Sequence, residues 1–262
     1  MIMTQADPAK YNRKAWDSLV SKGNQWTRPV SSEVIAAARN GDWEIVLTAE
    51  KPIPKEWLMP VAGKQILCLA GGGGQQAPIL AAAGGEVTTL DNSPGQLEQD
   101  QVVARREGLT IGSVLGDMRD LSPFEDNSFD LIVNPCSNSF VPDVNPVWKE
   151  CFRVLKPGGS LLVGFINPLT HIFDYDKMEA GELEIRHKIP YSDYDLPEAE
   201  RQALIDADEP LWFGHSLADQ MGGQIEAGFV ITGFYEDRWK ELSALSDCID
   251  LMIATRAVKP EV

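Results

Sequence analysis

The sequence predicts an α/β domain built on a doubly wound, mostly parallel sheet of seven strands, with an antiparallel pair at its C-terminal end. Between residues 63 and 165, short apolar runs alternate with helical stretches, which is the pattern of parallel βαβ units. Residues 229–235 and 249–257 are two further β-like runs, close enough in the chain to pair antiparallel. A length of 262 residues, 44% hydrophobic and 24% charged, suits one large globular domain with room for an appended cap.

The first 60 residues hold Trp16, Trp26, Trp43 and Trp57 and at least two helical stretches, one over 32–39, and read as a helical cover. Residues 65–70 (QILCLA) read as a buried strand, followed by Gly71–Gly74 and a helix over 75–83. Residues 86–90 form strand two. Ser93-Pro94-Gly95-Gln96 then opens a helix with a serine N-cap, proline in the first turn and glutamine at the capping-box position. That helix runs to about Glu107, where Gly108 can stop it. Residues 110–115 and 129–133 are strands three and four. A helix over 144–155 ends at the turn Lys156-Pro157-Gly158-Gly159, and strand five covers 160–165. Residues 166–215 are a polar, aromatic-containing insertion, read as a cap, and 216–262 hold a helix over 217–227 and the terminal strand pair.

Charge and composition remove several classes of function. A formal net charge of −16, with no basic stretch interleaved with aromatics, is the wrong sign for a phosphate backbone, so no nucleic-acid substrate is expected. No apolar run approaches the roughly 20 residues of a membrane span, and the polar residues 1–14 lack the apolar core of a secretory signal. A cytoplasmic location is expected. Cys68, Cys136, Cys151 and Cys248 are scattered without CxxC spacing and read as thiols rather than disulfides, and His171, His187 and His215 lack metal-motif spacing, so no structural metal is expected. Oligomeric state is not legible.

Two features carry chemistry. Glycines between a strand and a helix let the backbone approach a ligand, and Ala70-Gly71-Gly72-Gly73-Gly74 has that setting. Taken alone it also fits a dinucleotide fingerprint, as Gly72-x-Gly74-x-x-Ala77. Asp91, 19 residues after Gly72 and directly after strand two, is placed to accept both hydroxyls of a ribose. Both features belong to methyl-transferring and nicotinamide-dependent enzymes alike.

The run from Gly116 to Asp130 (GDMRDLSPFEDNSFD), together with Arg153-Val154-Leu155-Lys156-Pro157-Gly158-Gly159, separates the two. It resembles the class I S-adenosylmethionine-dependent methyltransferases, in which an acidic residue follows strand three, a "pf-d-sFD" run leads into strand four, and "R-x-L-K-P-G-G" precedes strand five. The resemblance implies a Rossmann-like doubly wound seven-stranded sheet and S-adenosylmethionine as cofactor, with S-adenosylhomocysteine as product. Carried over, Ala70, Gly71, Gly72, Gly73 and Gly74 would line the methionine part, and Asp91 the ribose, with Asn92 and Ser93 beside the adenosine. Asp117 would accept from the adenine amino group with Met118 against the ring, and Asn134, Pro135 and Ser137 would flank the transferred methyl. The sequence departs from the family at Cys68, where an acidic residue is usual, at Ala70, the loop's first glycine, and at Asn134-Pro135-Cys136-Ser137, which lacks the second proline and the aromatic of base-directed enzymes.

The expected reaction is methyl transfer to a small-molecule acceptor, with a nicotinamide-dependent oxidoreductase and a non-catalytic S-adenosylmethionine-binding protein as alternatives. Where the acceptor starts protonated a base is needed, and His171 and His215 are the candidates. Trp16 and Trp26 are candidates to cover the sulfonium by cation–π attraction, or simply to pack on the core.

Overall fold

A computed structural model describes residues 7–58, 60–240 and 243–261. Residues 1–6 and 59 of the expected cover, and 241, 242 and 262 of the C-terminal part, lie outside them. The chain opens with α1 (Pro8–Lys22), α2 (Ser32–Arg39) and the single turn α3 (Lys55–Leu58). The alternating core follows as β1 (Gln65–Leu69), α4 (Gln76–Ala82), β2 (Glu86–Asp91), α5 (Pro94–Glu107), β3 (Ile111–Leu115), β4 (Phe129–Asn134), α6 (Asn145–Val154) and β5 (Leu155–Ile166). Then come α7 (Tyr175–Glu179), the short strand β6 (Tyr191–Ser192), α8 (Glu198–Asp206) and β7 (Phe213–Gly214), which pairs with β6. The chain ends in α9 (Gly223–Glu226), β8 (Val230–Asp237), α10 (Ser243–Ser246) and β9 (Met252–Val258).

The main sheet has seven strands in the order β3-β2-β1-β4-β5-β9-β8. Its first five are mutually parallel, and β9 runs antiparallel between β5 and β8. Successive residues of a strand point to opposite faces, and both faces here are apolar. Ile66, Cys68, Leu131 and Val133 pack with α4 and α5 on one side. Leu67, Leu69, Ile132 and Val163 pack with Trp148 and Cys151 of α6 on the other. A sheet buried on both faces leaves its strand ends as the open edge, and the order reverses between β1 and β4, where doubly wound sheets form a crevice.

Local signals set α5 as expected. Ser93 Oγ accepts from Gln96 N at 3.0 Å, Pro94 begins the helix, and Gly108 ends it at φ +66. Two expectations are corrected. β5 begins at Leu155 rather than Ser160, because Leu155 already pairs with Phe129, and the Lys156–Gly159 turn becomes an irregularity inside the strand. The expected helix over 217–227 is a wide π turn at Ala218–Gly222 followed by one α turn. Among the described residues no helix is long and apolar enough to cross a membrane.

Two flanking segments are tied over the crevice. Asn12 of α1 is buried, and its amide donates to the carbonyls of Phe140 and Leu211 while its oxygen accepts from Leu211 N at 2.8 Å. Tyr11 and Lys22 donate to the carbonyls of Glu209 and Ala207, so α1 is fastened to 207–211. Residues 45–53 double back, with Val46 bridging Pro52, and Leu47 lies against Gly164 of β5, where an added Cβ would sit 2.0 Å from the Leu47 carbonyl oxygen. That backbone cannot yield cheaply. Gly164→Ala is expected to cost about 3 kcal/mol or more, read as a fall in thermal midpoint, and a variant with an unchanged midpoint contradicts the close approach.

Candidate active site

The loop after β1 is shaped by what its backbone N–H groups reach. Ala70 N donates to the Leu90 carbonyl at 2.7 Å, Gly73 N to the Gln96 carbonyl at 3.0 Å, and Gly72 N to an Asp91 carboxylate oxygen at 3.0 Å. Gly74 N donates to Asp100 at 2.7 Å. Gly73 and Gly74 have φ of +117 and +77, and a Cβ there would meet the Trp26 carbonyl and Pro29 at 2.8 and 2.9 Å. These two glycines are therefore required by the close passage of residues 26–29. They do not line the cavity, contrary to the expectation that the whole loop faces a ligand. Gly72 does line it, yet its Cβ would point at Gln96 and Asp91 rather than into the space. Ala70 holds φ +46, a conformation that costs a non-glycine residue about 1–2 kcal/mol.

Asp91 ends β2, buried beneath this loop, and accepts from Gly72 N and Ser93 N. Burial pushes its carboxyl up to about 6, against the pull of those N–H groups. Asp17 of α1 accepts from Ser93 Oγ at 2.6 Å and from Gly95 N at 2.9 Å, closing the N-terminus of α5. Ser93 is thus spent on capping and does not line the cavity. Asn92 does line it, held by Arg13 Nε and by the Ala9 carbonyl. Asp117, after β3, also reaches the cavity, but Arg119 grips both its oxygens at 2.5–3.1 Å. Asn134 is fully buried behind Pro135 and donates to the Leu69 carbonyl and Ser137 Oγ. It holds the ends of β1 and β4 together, and of the expected trio only Pro135 and Ser137 face the space.

These strand ends enclose a cavity of about 210 Å³. One wall is Ala70–Gly72, Asp91 and Met118, and the opposite wall is apolar and aromatic, with Trp16, Phe140, Trp212, Trp239, Ile166 and Met252. Trp16 and Trp212 both meet Phe140 edge-on, with ring centroids 5.0 and 5.2 Å apart. Neither histidine lines it. His171 stacks on Tyr191 behind Trp212, and burial, then the nearby His215 and His187, hold it down to about 4. His215 Nε2 is spent on the Asn138 carbonyl at 3.1 Å. The structure brings neither candidate base to the cavity. Cys136, at φ +43, does line the space, and burial pushes its thiol up.

Sequence reasoning missed Gln96, Asp100, Asn12 and Thr48. Gln96 Oε1 is a buried acceptor that finds no protein donor, on the cavity wall next to Asp91. Such an atom costs stability unless something else satisfies it. Thr48 is held by Asp237, which also accepts from the N–H groups of Glu50 and Lys51 and so fixes the bend 48–51. Among the described residues no group of three or more His, Cys, Asp or Glu could hold a metal ion.

Comparisons with known proteins agree on a family. A model described as "Methyltransferase domain" matches residues 67–163. A Bacillus subtilis protein named "Uncharacterized methyltransferase YbaJ" is 52% identical over 250 residues, covering 95% of this chain and 97% of that one. A "Ubiquinone biosynthesis O-methyltransferase" of Xanthomonas euvesicatoria is 22% identical, covering 98% of each chain. Among solved structures, an S-adenosylmethionine-dependent methyltransferase from Mesorhizobium loti superposes with a TM-score of 0.61 at 18% identity, covering 78% of this chain and 94% of that one.

The raised carboxyl of Asp91 makes a pH prediction. Its folded value near 6 lies above the ordinary 3.8, so the group's contribution to stability is present below 3.8 and is lost as pH rises through 6. Asp91→Asn removes that titration. Whatever its fixed offset, the ligand-free variant should gain on the unsubstituted protein by about 1 kcal/mol between pH 5 and pH 8. Parallel denaturation curves across that range would contradict the burial argument.

Proposed function

The chain belongs to the class I S-adenosylmethionine-dependent methyltransferases, and we propose that it moves a methyl group to a small, largely apolar acceptor. Within that reading it is a single methyltransferase domain of the cytoplasm. Residues 63–165 bind the donor, residues 1–60 and 166–215 enclose the acceptor, and neither nucleic acid nor membrane is a partner. Family membership sets aside the oxidoreductase alternative. The observation that carries the reading is one cavity with two unlike walls: a backbone-and-carboxylate wall at the β1 and β2 ends, and an aromatic wall to which both flanking segments contribute, with Phe140 from the core and Trp239 and Met252 from the C-terminal part.

The donor-side residues fit S-adenosylmethionine. Asp91 uses two N–H donors, and a carboxylate offers about four acceptor positions, so it retains capacity for ribose hydroxyls. Gln96 Oε1 is an acceptor awaiting a donor. Met118 presents an apolar surface for a ring, and Gly71 lines the cavity with backbone alone, beside the Pro135 ring. Asp117 could serve an adenine amino group only while shared with Arg119. When bound, the donor supplies an electrophilic methyl on a sulfonium, and the sulfur leaves with its electron pair as a neutral thioether.

The chain's own part is alignment and exclusion of water. In-line displacement draws most of its acceleration from holding the two reactants in register. Trp16, Phe140 and Trp212, tied together through Asn12, shut the cavity on the acceptor side. Among the described residues the cavity lining carries no His, Lys or Tyr, and its two carboxylates, Asp91 and Asp117, belong to the donor side. The acceptor then supplies its own nucleophile, as an amine, a thiolate or an acidic hydroxyl. The O-methyltransferase name of the relative from ubiquinone biosynthesis supports a small acceptor of this kind. A surface of net charge −16 supports it against nucleic acid.

Three measurements test the reading. Asp91→Ala should weaken S-adenosylhomocysteine binding by about 2–4 kcal/mol, and unchanged affinity by calorimetry in a folded variant removes the ribose assignment. Labelled donor incubated with metabolite extract should label a small molecule, whereas labelling confined to DNA, RNA or protein overturns the acceptor class. Once an acceptor is in hand, His215→Gln should keep turnover within about threefold, because its ring lies off the cavity. A loss of a hundredfold or more would return the histidine to the chemistry.

A further inference from the structure

Asp100 of α5 is a carboxylate with no solvent exposure and no cation beside it. One oxygen accepts from Gly74 N and the other from Thr89 Oγ1, both at 2.7 Å. Thr89 is the register partner of Cys68 on the neighbouring strand, and the carboxylate is close enough to raise the Cys68 thiol further, after burial itself. Burial pushes Asp100 up to about 7, with the Asp91 charge adding to the rise and the two hydrogen bonds opposing it. A buried acid without a counter-ion is expensive. Here its two partners are the Thr89 hydroxyl and the backbone of the loop that forms the donor-side wall.

The inference rests on the methyltransferase reading. We propose that Asp100 is the positioning residue of the donor loop, supplying from α5 the negative charge that strand β1, with Cys68, does not provide. Fixing Gly74 N fixes the end of the loop whose other members, Gly72 and Gly71, face the cavity, and Gly72 N in turn reaches Asp91. Asp91 and Asp100 thus pull alternate N–H groups of one loop. The loop's shape is set from β2 and α5 without any charge within β1.

Binding of S-adenosylhomocysteine to the full-length protein tests this, with circular dichroism and thermal midpoint recorded in parallel. Asp100→Ala should weaken binding by roughly 10- to 100-fold. Adding Cys68→Asp to it should restore affinity to within roughly threefold of the unsubstituted protein, a rescue that mere loss of packing would not allow. Should the alanine variant not fold, Asp100→Asn, which keeps an acceptor for Gly74 N without the charge, should bind roughly fivefold more weakly. Affinity unchanged in the folded alanine variant, or in the asparagine variant where alanine does not fold, overturns the proposal. So does loss in Asp100→Ala that Cys68→Asp fails to repair. If the unsubstituted protein binds no S-adenosylhomocysteine at all, it is the donor assignment that fails, and Asp91→Ala measured alongside separates the two outcomes.

Discussion

Backbone N–H groups act as the counter-charge for the acids of this molecule's working edge. Asp91, Asp100, Asp17 and Asp237 each accept from one or more N–H groups of a turn or helix start, at 2.7–3.0 Å, and none of these bonds comes from a lysine or arginine side chain. Hydrogen bonds to an ionised acceptor are stronger than neutral ones, but a carboxylate out of water still carries a desolvation penalty. The balance differs by site. For Asp237, burial raises the carboxyl but four bonds outweigh it and leave it lowered, whereas for Asp91 and Asp100 burial wins. Each of these acceptors fixes the local course of a chain segment beside the cavity: the glycine loop, the start of α5, and the bend 48–51.

The same logic explains the enclosure. A cavity wall of Trp16, Phe140 and Trp212 comes from three segments far apart in sequence, and apolar contact alone does not dictate a unique arrangement. Asn12 does, since a buried amide that lost one of its three partners would leave a polar group unsatisfied. The cover and the 207–211 segment are therefore fastened in one geometry over the β1–β4 crevice. The aromatic side of the cavity is held in place by that fastening.

Much of the fold was legible because its signals are local. The Ser93 cap, Pro94 and Gly108 set α5, and the apolar runs set β1 through β4, since the residues that decide these elements lie inside them. The misreadings are all non-local. Leu155 joins β5 because Phe129 pairs with it, and Gly73 and Gly74 are glycines because residues 26–29 pass over them. His171 and His215 looked available only because nothing in the sequence reveals that Tyr191 and the Asn138 carbonyl occupy them. Nothing in the sequence pattern separates Asp100 from Glu98 and Glu107 of the same helix. Its burial depends on α5 lying against β2, a fact of packing rather than of pattern.

The first of the two family runs begins in the cavity wall, with Asp117 and Met118, and the rest of both runs builds a clasp at the opposite end of the sheet. Arg153 holds Glu150, Asp126 and the carbonyls of Leu121 and Phe124, and Lys156 holds Asp130, which also accepts from Gln65 N. This clasp closes the N-terminal edge, away from the cavity, and accounts physically for the "pf-d-sFD" and "R-x-L-K-P-G-G" runs as determinants of fold. Trp16, Trp212, Trp239 and Met252, which line the aromatic side of the cavity, lie outside the stretch that carries those runs. A relative that shares only the central stretch therefore bears on the sheet and the glycine loop. The aromatic wall can be compared only with proteins that also share α1 and the segment around Trp212.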